Sequence, residues 1–401
     1  MNEIKQLVKQ VKDSNVELPL TEVKKDSIYS IPAYLKSLGF NRIVLTADSN
    51  TMEAAGSELA AVLQQEAIEA NVVLLPANKH GQVLADEETI IEVMVGTTEE
   101  TDAILAVGTG TIHDIVRFVS CKMNKPFISV PTAASVDGFT SKGAPLILKG
   151  IKKTIQTTAP IAVFADIRIL MKAPKELNAA GTGDILGKYT SLLDWKISSL
   201  IGGEPYHPLA AELTRQSLEK CMANLEQIGK GEEKGLTVLI HSLLESGLVM
   251  QVLNHSRPAS GGEHHLSHHW EINLLKRDAK QLLHGAKVGV AAVIVTDMYK
   301  RWAQQWSIDT IPGNSPYKQQ LNEHWPEIKA AIEELPEPDQ LQNFLKTAGG
   351  PASVEELGLP DSFIQASLNE AYQLRNRCTG LFLINKLKRS PLVYHSSDGS
   401  I

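Results

Sequence analysis

Cysteine is scarce in this chain: Cys121, Cys221 and Cys378 are its three, set far apart with no CxxC pair. That excludes a disulfide framework and a zinc ribbon, and the three read as reduced, buried thiols. An excess of positive charge is also missing. Lysine and arginine number 39 against 46 aspartates and glutamates, for a net charge of −7. Such a balance argues against a general nucleic-acid or anionic-membrane surface and leaves room only for a local basic pocket. No run of about 18 consecutive apolar residues occurs; the longest, Val288 to Val295, is far too short to span a bilayer. The N-terminal stretch Met1–Lys12 is charged and has no apolar signal core. A cytoplasmic protein with neither membrane nor nucleic-acid partners is therefore expected.

With 43% hydrophobic and 21% charged residues, the composition is that of a globular protein. Its 401 residues exceed what one hydrophobic core commonly serves, so two domains are expected. The first half alternates apolar β-branched runs with helical patterns. Strands are expected at Arg42–Thr46, Val72–Leu75, Ala103–Val107, Phe127–Val130 and Ile161–Asp166, with helices near 52–65, 86–95 and 112–123. Continuous apolar strands between helices imply a parallel sheet covered on both faces. Residues 145–148 and 151–157 suggest a β-hairpin turning at Lys149-Gly150, with Lys149, Lys152 and Lys153 on a solvated face. Beyond Lys172 the strand pattern fades into helices near 179–200, 208–228, 236–254, 284–304 and 317–334, and a Pro/Glu-rich linker spans 335–338. The expected architecture is an α/β, Rossmann-like nucleotide-binding domain over 1–172. An all-α domain follows over 173–401, with the site in the cleft between them.

Three segments of the first half carry the cofactor reading. Strand 103–107 runs into Gly108-Thr109-Gly110-Thr111-Ile112-His113-Asp114, where glycines and a helix N-terminus suit a pyrophosphate, although a tight turn explains a GxG nearly as well. Asp48 ends the first strand; it suits either a ribose contact or a helix N-cap ahead of Thr51. Pro131-Thr132-Ala133-Ala134-Ser135-Val136-Asp137-Gly138 supplies small residues over which a planar ring can lie.

The second half carries the metal reading. Ser256-Arg257-Pro258-Ala259-Ser260-Gly261-Gly262-Glu263-His264-His265-Leu266-Ser267-His268-His269 sets four histidines beside a glycine turn. On a helix His264 and His268 share one face and His265 and His269 another, so one pair can face a cleft. With Asp184 in GTGD and His284 in LHG, one carboxylate and two imidazoles would suit a borderline divalent metal. Spacing alone does not choose between that and structural histidines. Glu263, His265, His269 and Trp270 read as supporting or flanking residues. Arg257 is a candidate phosphate partner by proximity, or a structural arginine pinning the turn.

Together GTGTIHD (108–114), PTAASVDGFTS (131–141), GTGDILGK (181–188), SRPASGGEH (256–264) and LHGAKVG (283–289) resemble the sn-glycerol-1-phosphate dehydrogenase family. It lies within the superfamily of glycerol dehydrogenase, iron-containing alcohol dehydrogenases and 3-dehydroquinate synthase. Length and the helical tail look like the bacterial, arabinose-operon-associated branch. Thr109 stands where the superfamily's GGG has its middle glycine, and His113 where an aliphatic residue is common. The resemblance implies a dehydroquinate synthase-like fold. It implies NAD(P) contacts from Asp48, Gly110, Thr111, Ile112, His113, Asp114, Thr132, Ala133, Ala134, Ser135 and Ser141. It further implies metal ligation (Ni²⁺ or Zn²⁺, one per subunit) by Asp184, His264 and His284, with substrate near Asp137, Asp184 and His268. Asp184 and His268 are then the catalytic residues. The implied activity is reversible NAD(P)H-linked reduction of dihydroxyacetone phosphate to sn-glycerol 1-phosphate, a glycerophospholipid precursor, by a homodimer. A glycerol or other polyol dehydrogenase is the nearest alternative; a dehydroquinate-synthase-like lyase and a non-catalytic NAD-binding protein stand further off.

Overall fold

A computed structural model describes residues 2–11, 16–307, 311 and 314–394; Met1 and Lys12, the ends of the charged N-terminal stretch, lie outside them. Among the described residues eight strands form: β1 Leu20–Lys24, β2 Arg42–Ala47, β3 Glu69–Leu74, β4 Ala103–Gly108, β5 Phe127–Pro131, β6 Gly143–Leu148, β7 Ile151–Gln156 and β8 Ala162–Asp166. Six make one sheet in the order β1-β8-β5-β4-β2-β3, with every pairing parallel. In β4, Ala103, Leu105 and Val107 pack on one face and Ile104 and Ala106 on the other, which is why the run is apolar throughout. Expected strands 42–46, 72–75, 103–107, 127–130 and 161–166 all lie in this sheet. β1 is an addition: only Leu20 and Val23 of its five residues are apolar and it lies half-exposed at the edge beside β8, so it gave no apolar run.

The chain moves outward from β2 to β3, then crosses back to β4 on β2's other side. That reversal opens a crevice at the carboxyl ends of β2 and β4, the usual ligand position in open α/β sheets. β6 and β7 form a separate antiparallel hairpin whose turn places Lys149 at φ 54 and Gly150 at φ 71. Two successive left-handed residues make the tight turn expected there.

After Asp166 all described elements are helical. Periodicity ran the segment 179–200 together, but Lys175–Leu186 and Lys188–Gly202 are two helices bent at Gly187, where a Cβ would lie 2.7 Å from Val288 Cγ1. Likewise 208–228 divides into Pro208–Met222 and Leu225–Lys230. Gly262–Lys276 is an added helix, hidden because histidines and glutamates replace an apolar stripe. Glu233–Leu253 is long and apolar enough to cross a membrane by composition, yet it is mostly buried inside the protein, where Leu236, Leu239, Ile240 and Leu243 join a core cluster. The N-terminal helix Asn2–Gln10 buries Ile4 and Leu7 against Trp195, Leu248 and Val252, and so packs on the helical half rather than on the sheet.

Helices Lys175–Leu186 and His284–Gln305 cross almost backbone to backbone. A Cβ on Gly285 would stand 1.8 Å from the Ala180 carbonyl oxygen, and one on Gly183 would stand 2.2 Å from the Gly285 oxygen. Only glycine permits this approach. It sets Asp184 and His284, the neighbours of these glycines, against one another.

Candidate active site

The Asp184 carboxyl is fully buried and its two oxygens differ. Oδ2 accepts the Asp137 backbone N–H at 2.9 Å. Oδ1 has no hydrogen-bond donor among the described residues and points at His264 Nε2 (3.6 Å) and His284 Nε2 (4.0 Å). Ligand atoms of these three residues lie within 4.8 Å of one another. Donors around a tetrahedral ion with bonds of about 2.0–2.1 Å stand about 3.4 Å apart, so small side-chain adjustments would close the set on a cation. An orphaned buried carboxylate oxygen facing two imidazoles fits a divalent metal.

The outer layer fixes the ligands. His264 Nδ1 donates to Glu263 Oε1 at 2.8 Å, leaving Nε2 as an acceptor toward Asp184. Glu263 is itself held by the Gly261 N–H (2.6 Å) and the Thr190 hydroxyl (2.7 Å). Burial drives the His264 pKa well below its ordinary value and takes His284 to about 3, so both rings are neutral. Lys188, one turn beyond Asp184, is buried with Nζ 2.7 Å from Asp137 Oδ2 and 3.5 Å from Asp184 Oδ1. Asp137 Oδ2 also accepts from the Ser246 hydroxyl at 2.9 Å.

His268 stands beside this group, its ring centre 6.0 Å from that of His264 and 5.7 Å from that of His284. Arg375 Nη2 lies 3.3 Å from its Nε2, and Glu271 Oε2 lies 3.6 Å from its Nδ1. A guanidinium can only donate, so the His268 proton belongs on Nδ1, toward Glu271. The other face of the helix is structural. His269 bonds Glu370 and Asn273, and His265 is buried with neither ring nitrogen partnered among the described residues.

A cleft of about 330 Å³ joins this cluster to the crevice of the sheet. Gly110, Thr111, Asp114, Ser135, Asp137 and Ser141 line it, as do His264, His268 and His284. Thr109 forms no side-chain cap at the helix Gly110–Met123, leaving its first N–H groups facing the cleft, and the Ser135 Oγ is buried without a partner. These features fit a dinucleotide phosphate. The side chains of Ile112, His113, Thr132, Ala133 and Ala134 do not reach the cleft. Ile112 is core, and Thr132, Ala133 and Ala134 are buried. His113 is locked between the Thr109 carbonyl (2.8 Å) and the Ser129 hydroxyl (2.7 Å). Asp48 is the N-cap of Ser49–Thr51, its Oδ1 accepting the Thr51 N–H at 2.8 Å.

Two readings of basic residues change. Arg257 is ion-paired to Glu204 and does not line the cleft, so it pins the turn. Lys152, expected on a solvated hairpin face, instead enters the cleft and meets Glu271 at 2.6 Å; Lys287 meets the same carboxylate at 3.2 Å. Lys149 and Lys153 are exposed, as expected. Lys188, Glu271 and Lys287 each follow a noted residue by one helical turn, a spacing that could have found them. Arg375 carried no such signal.

His113 and His265 are fully buried and have their pKa values lowered to about 3, chiefly by burial. Above pH 6.5 they are neutral whether folded or unfolded. Below it the unfolded chain takes up protons that the native state refuses, so stability falls with pH down toward 3. Each is expected to cost about 2 kcal/mol between pH 6.5 and 5. Calorimetric melting against pH should show this decline, and His265→Leu should make it shallower. An unchanged slope would place the acid sensitivity elsewhere.

Residues 22–174 match the family described as iron-containing alcohol dehydrogenase. Glycerol dehydrogenase from Schizosaccharomyces pombe superposes with a TM-score of 0.65 at 17% identity, covering 93% of this chain and 86% of that one. Maleylacetate reductase from Rhizobium sp. strain MTP-10005 gives 0.67 at 15%, covering 96% and 98%. The matched segment and the shared fold set this chain within the iron-containing alcohol dehydrogenase superfamily. Within it, the glycerol-1-phosphate dehydrogenase [NAD(P)+] of Bacillus subtilis (strain 168) is 47% identical over 91% of this chain and 90% of its own length. That of Methanosarcina mazei is 32% identical over 84% and 81%. The chain belongs to the glycerol-1-phosphate dehydrogenase family.

Proposed function

We propose that this enzyme catalyses the reversible NAD(P)H-linked reduction of dihydroxyacetone phosphate to sn-glycerol 1-phosphate, as a soluble metabolic enzyme supplying a glycerophospholipid precursor. The observation that carries this reading is the continuous cleft running from the uncapped helix at Gly110 to the Asp184 oxygen that accepts no hydrogen bond among the described residues and faces two neutral imidazoles. Asp184, His264 and His284 would hold a divalent cation. One carboxylate oxygen and two imidazole nitrogens suit zinc or nickel equally, and the resemblance to the bacterial branch tilts our reading toward nickel. When bound, the cation would stabilise negative charge on the substrate's C2 oxygen, and the nicotinamide would exchange the hydride.

The chain's own groups prepare that chemistry. The Asp137 N–H and Lys188 orient Asp184, while Glu263 keeps the His264 proton on Nδ1. His268 holds its proton on Nδ1 beside Glu271, where it can orient substrate or pass a proton. Leu282, Leu283 and Met250 give the cleft an apolar wall that limits water. The lobes divide near 172/173, and the active form is a homodimer by family resemblance.

The decisive assay follows NADH absorbance with protein reconstituted separately with Ni²⁺ and Zn²⁺, offering dihydroxyacetone phosphate, dihydroxyacetone and both glycerol phosphate enantiomers. Preference for the phosphorylated ketone and for the sn-1 enantiomer is expected. Faster turnover of dihydroxyacetone would make it a polyol dehydrogenase instead. For Asp48 we propose a ribose contact in addition to its cap. Asp48→Ser keeps the cap and is expected to leave stability within about 0.5 kcal/mol while raising the KM for NAD several-fold; an unchanged KM confines Asp48 to capping.

A further inference from the structure

Four lysine and arginine side chains line the cleft: Arg117, Lys152, Lys287 and Arg375. Three have acidic partners. Arg117 lies 3.5 Å from Asp114, and Lys152 and Lys287 share Glu271. Arg375 forms no ion pair with any carboxylate among the described residues. Its Nη1 donates to the Ser260 hydroxyl at 3.0 Å and reaches the Ser256 hydroxyl at 3.5 Å, while Nη2 approaches His268. Burial also pulls this guanidinium below the ordinary arginine value, with Glu263 only partly opposing.

We propose that Arg375, with the hydroxyls of Ser260 and Ser256, receives the phosphate of the substrate and so makes the enzyme select phosphorylated over free trioses. The inference rests on the function proposed above and names the residue responsible for its substrate class. A cation removed from water without a counter-ion is costly, and an arriving phosphate dianion supplies the missing charge. The guanidinium fork matches phosphate oxygens in a bidentate way, and serine hydroxyls can turn to donate to the same group. Position agrees. Arg375 contacts His268, whose ring centre is 6.0 Å from that of His264, so the guanidinium lines the same cleft one side chain removed from the Asp184, His264 and His284 group. An anion between Lys152 and Lys287 would instead have to displace the Glu271 carboxylate already seated there.

The test compares kcat/KM for dihydroxyacetone phosphate and dihydroxyacetone in metal-reconstituted wild type, Arg375→Gln, Arg375→Lys and Lys287→Met. The ratio of the two constants is expected to fall about 10²-fold in Arg375→Gln, the loss of two charge-assisted hydrogen bonds, and to recover in part in Arg375→Lys. Inorganic phosphate should raise the melting temperature of wild type and of Arg375→Lys but not of Arg375→Gln. Should Arg375→Gln not fold, the lysine variant and the wild-type phosphate shift still decide. Equal losses on both substrates would overturn the proposal, since Arg375 would then act through His268 or the fold. So would a ratio kept in Arg375→Gln and lost in Lys287→Met, which would seat the phosphate on the lysine pair. Wild type that prefers dihydroxyacetone overturns the proposed function itself, a result separate from any of these.

Discussion

His264→Ala is expected to lower kcat by about 10³-fold or more and to leave the protein without a retained divalent cation after desalting. The magnitude follows from what the substitution removes. His264 Nε2 is one of three donors, and its Nδ1 proton is committed to Glu263, which is itself tied to Gly261 and Thr190. Alanine removes a donor and leaves the buried Glu263 without one of its hydrogen bonds, so His284 is the one imidazole left facing the Asp184 oxygen. Metal content by emission spectrometry and kcat in chelator-treated buffer check both parts. Near-normal turnover of metal-free His264→Ala would remove this residue from the ligand set.

Gly285→Ala is expected to damage the enzyme almost as much without touching any donor. The added methyl would lie 1.8 Å from the Ala180 carbonyl oxygen, and backbone cannot rotate aside as a side chain can. The two helices must separate by more than an ångström, which costs about 1–3 kcal/mol or more as overpacking. Because Asp184 and His284 flank the crossing, the separation opens the donor set. A misplacement of that size is expected to cost about 10²-fold in turnover. Thermal melting and metal affinity measured together test this. A lower melting temperature with normal metal retention would mean that the crossing supports the fold but does not set the site.

Much of the first lobe was legible because its central strands β2, β4, β5 and β8 are buried on both faces and therefore read as apolar runs. The hairpin was legible because two strand-like runs flank Lys149-Gly150, whose glycine readily takes the left-handed conformation that a two-residue turn needs. β1 was not, since an edge strand need not be apolar. The metal group was legible as residue types, Asp184, His264 and His284, but not as a set. Nothing in the spacing distinguishes the His264/His268 face from the His265/His269 face, and packing of that helix against His284–Gln305 and Asp361–Glu370 made that choice. Lys152 was misread for a related reason. Period-two alternation says that it opposes Lys153, but not which of the two faces meets the helical half.

Local sequence, then, determined the parallel sheet, the glycine-led helix start at Gly110, the donor types and the family, because each depends on residues near one another in the chain. Only the tertiary structure decided that Arg257 is bound to Glu204 while Arg375 stands in the cleft without an acidic partner. Whether a charge is neutralised depends on which distant side chains the fold brings within a few ångströms, and that information is in no segment taken alone.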